Sequence, residues 1–439
     1  MKKLLLAFAA VTGLLFCVLA FERVFVERTV GPVALASLAV LAALSVTLFV
    51  MYRLYDSKYR NLINNMCLAG AVTVATYVLV DLAAGAILIQ RLSPPLVPDE
   101  YRHHRMVPNS YSSFRQRDFE YIQRVNNFGM RGHDITAQKP PGTYRILMLG
   151  DSFTMGKGVE DQETFSVLVE RALKDKLAAC GGARTIEVLN GGVDSYAPIL
   201  SYIALTRDFA ALSPDMVVLN LDVSDLVQES AYRQIARRDA SGEIIGVPQL
   251  HVEPSLTDRI RDWTNHHLFI TRTLLYLMTA RADDRTLSIR DVVEQANFAV
   301  AAHTLEGDTE LRDQQWRNIF ESIGRIKSFA ESRNMKFVLT IYPWGHQVND
   351  TEWMPGRRAF MPEGARPSEK SRQTVHEYSA RMGIELVDLF PVFRAYRGKR
   401  PLYFDFDAHW TTTGQQVAAA GLESYLTRHQ LEAWCRGPG

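Results

Sequence analysis

The sequence predicts an α/β domain, a parallel sheet covered by helices on both faces, behind an N-terminal region of transmembrane helices. Three observations predict it. Long uncharged runs fill most of the first 90 residues. From Tyr144 onward, short β-rich runs alternate with amphipathic helical stretches. The predicted strands are almost wholly apolar, Ile146-Leu147-Met148-Leu149 among them, as strands are when both sheet faces are buried.

The apolar runs come first. Leu4–Phe21, Thr29–Tyr52 and Met66–Gln90 span 18, 24 and 25 residues, the last interrupted only by Asp81. About 20 apolar residues cross a bilayer as a helix, because lipid offers the backbone no hydrogen-bond partners. The first run, with Lys2 and Lys3 ahead of it and Val18-Leu19-Ala20 near its end, also has the form of a cleavable signal peptide. A retained helix is the preferred reading. Residues 1–90 are therefore three helices, or a signal plus two. Lys2, Lys3, Arg53, Lys58 and Arg60 fall on one side, which puts the 53–60 loop in the cytoplasm and the C-terminal domain outside it. The expected location is the inner membrane, multi-pass, with that domain on the periplasmic or extracellular side. Asp81 is costly inside a membrane. A structural role is expected for it, capping or packing among the helices or lying near the outer headgroups.

The rest of the chain is ordinary globular sequence. Its 439 residues, 47% apolar and 22% charged, exclude collagen-like, low-complexity and fully disordered readings. Beyond residue 94 there are 41 basic and 44 acidic side chains. That balance offers no basic face and argues against a nucleic-acid partner. Cys180 and Cys435 lie outside the apolar runs. In an oxidising compartment they can pair, the alternative being two free thiols.

Residues 91–143 read as a linker and lead-in, extended at Leu92–Pro98 by three prolines. The domain proper is 144–435. Strands are expected at Arg145–Leu149, Thr185–Leu189, Met216–Val223, Lys336–Tyr342 and Ile384–Leu389. Helices are expected at Glu163–Leu177, Ile199–Leu212, Gln314–Ser332, Ser368–Met382 and Thr413–Gln430. Alternation of this kind implies right-handed crossovers and ligand binding at the carboxyl ends of the strands. Residues 226–312 interrupt the rhythm. They are read as an insertion, with a helix at Leu268–Met278, that caps the site.

The chemistry sits at those strand ends. The first strand runs into Gly150-Asp151-Ser152-Phe153, where a strand-to-helix turn would present a hydroxyl to solvent. After the last strand stands Asp407-Ala408-His409-Trp410. An imidazole there can serve Ser152 as base, and a carboxylate two residues earlier can orient it. Asp405 is a rival orienter. Asn190-Gly191-Gly192-Val193 follows the second strand, and a glycine lets a backbone N–H approach an oxyanion. Asp222-Val223-Ser224-Asp225 follows the third. His346, after the fourth, is a candidate substrate contact. No further ligands accompany the Asp/His pair, so neither a metal nor another cofactor is expected.

These four elements, in this order, resemble the SGNH hydrolase superfamily, also called GDSL-type esterases and acylhydrolases, over about residues 126–430. The resemblance implies a three-layer, flavodoxin-like sheet and a Ser-His-Asp triad of Ser152, His409 and Asp407. It implies an oxyanion hole from the amides of Ser152 and Gly192, with Gly191 a one-residue alternative. Asp407-Ala408-His409 looks like the Asp-x-His form found in envelope-polysaccharide members. Asn127-Phe128-Gly129-Met130-Arg131-Gly132 is similar to a lead-in of membrane-anchored members. One block departs. Where the family usually places an Asn side-chain amide stands Ser224, whose hydroxyl is the candidate third oxyanion donor; otherwise another donor reaches in or activity is weak. The implied activity is that of a membrane-anchored serine esterase removing O-acyl groups, most simply acetyl, from a cell-envelope glycan. The rivals are an O-acyltransferase supplied by a membrane acyltransferase partner, and a catalytically inactive scaffold in glycan assembly.

Overall fold

Runs rich in Ala, Leu and Val, without internal proline, form three helices: α1 (Lys2–Phe21), α2 (Pro32–Leu54, its proline at the first helical position) and α3 (Arg60–Leu88). The computed structural model describes residues 1–21, 32–88, 96–181, 184–249, 256–275, 303–306, 310–359, 361 and 364–436. It divides into two units, residues 1–91 with 253–289, and residues 92–252 with 290–439.

In the first unit, among the described residues, one helix is long and apolar enough to cross a membrane, Arg60–Ile87 with a mean hydropathy of 1.8. A shorter apolar helix, Ala42–Leu54, falls below that length. The three spans expected from the sequence thus reduce to one that meets the test. The connection at 22–31 lies outside the described residues. Lys2 pairs with Asp56 and lies 5.5 Å from the Tyr52 ring centroid, so the N-terminus and the 53–60 loop share one end. The unit also contains α8 (Leu256–His267) and a helical stretch over 269–275. The middle of the insertion therefore belongs with the N-terminal helices, not with the domain it was expected to cap. The expected helix at Leu268–Met278 is present as far as residue 275, and 276–278 lie outside the described residues.

The second unit opens with two antiparallel pairs, β1 (Val97–Asp99) with β2 (His103–Arg105) and β3 (Ser110–Arg115) with β4 (Glu120–Val125). The lead-in is thus more structured than its polar composition suggests. Of the Leu92–Pro98 linker, residues 92–95 lie outside the described residues.

Five strands follow: β5 (Thr143–Leu149), β6 (Thr185–Asn190), β7 (Met216–Leu221), β10 (Lys336–Ile341) and β11 (Glu385–Asp388). The intervening β8 (Arg237–Arg238) and β9 (Ile244–Gly246) form a separate small hairpin. The five pair in parallel in the order β6-β5-β7-β10-β11. That is the flavodoxin-like order, with its switch point between β5 and β7. Side chains alternate between two cores. Leu147, Leu149, Val217, Leu219 and Leu339 pack on one face with α6 (Pro198–Arg207) and α9 (Glu310–Ser332). Ile146, Met148, Val218 and Val338 pack on the other with α5 (Phe165–Ala179) and α13 (Thr412–Arg436). Each of the five strands overlaps the span read from sequence. α7 (Asp225–Ile235) lies where an irregular stretch was expected.

Cys180, which caps α5, is bonded to Cys435 in α13 across 255 residues of chain. Because this bond closes so long a loop, removing it by paired Cys180→Ser and Cys435→Ser substitutions is expected to lower unfolding stability by about 2–5 kcal/mol. Urea denaturation of the two proteins measures the loss, and reductant should abolish the difference between them.

Candidate active site

A serine at the end of a strand is presented only if the chain turns sharply. Gly150 supplies the turn with φ of +150°, and a Cβ there would lie 2.3 Å from Thr154 Oγ1. Asp151 then caps α4 (Ser152–Met155), its Oδ1 accepting the Phe153 N–H at 2.9 Å. Gly156, with φ of +89°, closes the helix by donating to the Ser152 carbonyl. Ser152 Oγ lies 2.6 Å from His409 Nε2, across 257 residues of sequence.

The other face of the imidazole is equally defined. His409 Nδ1 bonds Asp407 Oδ1, which also accepts the His409 N–H at 2.9 Å. Asp407, rather than the rival Asp405, is therefore the carboxylate on the ring. Burial pushes Asp407 up, but the charge and hydrogen bonds of His409, with Lys157 beyond, outweigh it and bring it down to about 2. The loop bearing both residues is held from outside. Asp118 Oδ2 accepts the N–H groups of Phe406 and Asp407 at 2.8 and 2.7 Å. Glu352 accepts those of Leu402 and Tyr403. The Phe153 ring backs the imidazole at 4.6 Å between centroids.

The remaining expected residues are placed differently. The Gly192 N–H donates to Asn190 Oδ1 at 3.1 Å. A Cβ at Gly192 would come within 2.4 Å of the Met155 nitrogen, so only glycine lets this loop press on α4. Ser224 donates its one proton to Asp222, whose other oxygen accepts Trp344 Nε1 at 2.6 Å. A buried carboxylate is the stronger acceptor, and it has captured the hydroxyl expected to face an oxyanion. His346 is buried, with Nε2 2.7 Å from Thr304 Oγ1 and Trp353 beside it. Burial, and then the charge of Arg357, lowers its pKa to about 4. It is a packed core imidazole with no hydrogen bond to the Ser152–His409 pair.

Residues 148–417, more than half of the chain, match the family model described as the GDSL-like lipase/acylhydrolase family. The chain belongs to that family. It is accordingly a serine ester hydrolase. Similar solved structures include a lipase/acylhydrolase from Enterococcus faecalis, 15% identical, covering 65% of this chain and 96% of that one at a TM-score of 0.34. A catalytic mutant of an acetylxylan esterase from Geobacillus stearothermophilus is 12% identical, covering 67% and 97% at a TM-score of 0.35. No curated protein matches the chain. The family assignment rests on the sequence match.

Besides Asp118 and Glu352, three supports of this GDSL site escaped sequence reasoning. Buried Arg131 gives Nη1 to the carbonyls of Met155 and Gly156, Nη2 to that of Val159, and Nε to Asp161. It thus gathers the carbonyls at the end of α4. Asn220 Nδ2 bonds Thr154 Oγ1 at 3.0 Å from below. Lys157 pairs with Asp194 at 3.3 Å while bearing on Asp407. Arg131 lies inside the lead-in motif 127–132, which is the one signal that could have marked it.

Asp151, Asp222 and Asp225 are buried together, and Asp225 Oδ1 has no partner among the described residues. Burial first, then the neighbouring carboxylates, raises Asp225 and Asp151 well above the usual range. An acid raised in the folded state costs stability as pH climbs past its unfolded pKa, because the unfolded chain releases the proton first. Asp225→Asn is therefore expected to raise the melting temperature at neutral pH. It should also flatten the decline in stability above about pH 4, measured by thermal denaturation across a pH series.

Proposed function

We propose that Ser152 is the nucleophile, His409 its general base and Asp407 the residue that fixes the imidazole tautomer, in a membrane-anchored esterase that removes acetyl or related O-acyl groups from a cell-envelope glycan. The 2.6 Å approach of Ser152 to His409, with Asp407 on the far nitrogen, carries this reading. Ser152 Oγ attacks the ester carbonyl carbon as its proton passes to His409 Nε2. Asp407, ionised at any working pH, stabilises the imidazolium. The Ser152 and Gly192 amides receive the oxyanion, the latter sharing its N–H with Asn190. Collapse expels the sugar oxygen, which takes the proton from His409, and leaves an acyl-serine. Water repeats the sequence and frees the acid.

Support for an exported, membrane-held catalyst comes from α3 and from the Cys180–Cys435 bond, which suits an oxidising compartment. The proposed location is the inner membrane, anchored through α3, with the hydrolase domain on the outer side. A catalyst held at the membrane by α3 works beside surface polymers, and this supports a glycan O-acyl group as the substrate. Capture of Ser224 by Asp222 favours a second reading, a slow enzyme whose acyl-serine waits for a sugar hydroxyl, that is, an O-acyltransferase fed by a membrane partner. An inactive scaffold is the limiting case.

Purified full-length protein and a small activated acetate ester test the reading. Cleavage should fall to background in Ser152→Ala, and an acetyl adduct on Ser152 should be seen by mass spectrometry. Absence of both in the wild type overturns catalysis in favour of the scaffold. Acetyl appearing on an added oligosaccharide identifies the transferase. Since one oxyanion donor contributes about 10²–10³ in kcat, Ser224→Asn is expected to raise kcat by about tenfold or more with little change in KM.

A further inference from the structure

We propose that residues 256–275 form a second membrane-contacting element, resting in the lipid interface against α3 with Asp81 as its latch; this builds on the reading of α3 as a membrane span. A carboxylate in an apolar helix needs donors, and Asp81 finds them on another part of the chain. It is fully buried and accepts the N–H of Ile270 at 2.5 Å, the N–H of Thr271 at 3.1 Å and the Thr271 hydroxyl at 2.5 Å. Those amides belong to the first turn of the helix over 269–275, where no intrahelical acceptor exists. Asp81 therefore caps a helix in trans, with negative charge at the positive end of its dipole.

The seat extends one turn each way along α3. Tyr77 Oη lies 2.9 Å from Thr271 Oγ1. At Gly85 a Cβ would fall 2.0 Å from the His267 carbonyl oxygen, so the missing side chain is what admits the end of α8. Positions 77, 81 and 85 form one stripe at helical spacing.

Apolar side chains of the docked segment remain uncovered. Ile260 and Trp263, three residues apart on α8, and Leu274 in the next helix are about half exposed. α3 itself exposes Val72, Val74, Leu79 and Ile87. The occupant that fits both is lipid. Asp81 lies seven residues before the end of α3, about 10 Å at 1.5 Å per residue. The 29 residues of α3 make a helix about 43 Å long, so centred on a hydrocarbon core about 30 Å thick it overhangs by about 7 Å at each end and puts Asp81 within about 4 Å of one interface. Tryptophan favours that zone.

The chain contains its own probe. Trp316, Trp344, Trp353, Trp410 and Trp434 are buried, whereas Trp263 is 49% exposed. Full-length protein is reconstituted in phosphatidylcholine vesicles with plain or dibrominated acyl chains. Brominated lipid is expected to remove at least half of the emission that Trp263→Phe removes. Asp81→Ala is expected to speed tryptic cleavage after Arg272 about tenfold or more. If emission is indifferent to bromine while the protein resists alkaline carbonate, α3 spans and the proposal fails alone. If carbonate releases the protein, the membrane reading fails and the proposal with it. Quenching with unchanged cleavage in both Asp81→Ala and Gly85→Val overturns the latch.

Discussion

A helix of four residues cannot hold itself. α4 has one turn, too little for cooperative helix formation, yet it fixes the Ser152 hydroxyl proposed as nucleophile. Its rigidity is borrowed. Asp151 satisfies its first amides, Arg131 gathers the carbonyls at its other end, Asn220 props Thr154 from the sheet, and Gly192 presses on Met155. The parallel sheet makes this possible, since β5, β6 and β7 all end at one edge and deliver their following loops to the same small volume.

The opposing half of the site is built by the same means. The loop before α13 has almost no regular structure, and its shape is imposed by two carboxylates, Asp118 and Glu352, each accepting a pair of consecutive amides. The backbone amides offset part of the burial cost of these two acids, and burial still holds both above the usual carboxylate range. Asp151 and Asp225, under Ser152, are raised well above it. Asp151, Asp222 and Asp225 crowd together in a dry region, and this crowding has diverted Ser224 to serving Asp222.

What the sequence made legible follows from these forces. Strands buried on both faces announce themselves through composition, and each of the five was readable to within a few residues. The Ser152, Asp407 and His409 arrangement was readable because family blocks retain local patterns. The supports were not. Side chains such as Arg131 and Asp118 act on carbonyls and amides, which leave no residue-type signature in the partner. The hairpins of the lead-in escaped notice because edge pairs of mixed polarity, such as Ser110–Arg115 with Glu120–Val125, lack clean alternation. The membership of 256–275 was hidden for another reason. Its docking partner lies nearly 190 residues earlier and consists of one carboxylate, one phenol and one absent side chain.

The long interval between Ser152 and His409 has a bearing on biogenesis. Synthesis runs from the N-terminus, so the proposed nucleophile, Ser152, emerges 257 residues before its proposed base, His409. Throughout that interval the nascent chain holds a serine of ordinary reactivity. On that assignment hydrolytic competence waits for His409 to be placed, and the Cys180–Cys435 bond, which draws on the helix that follows, can be made no sooner. Oxidation of the pair thus records that synthesis has passed His409.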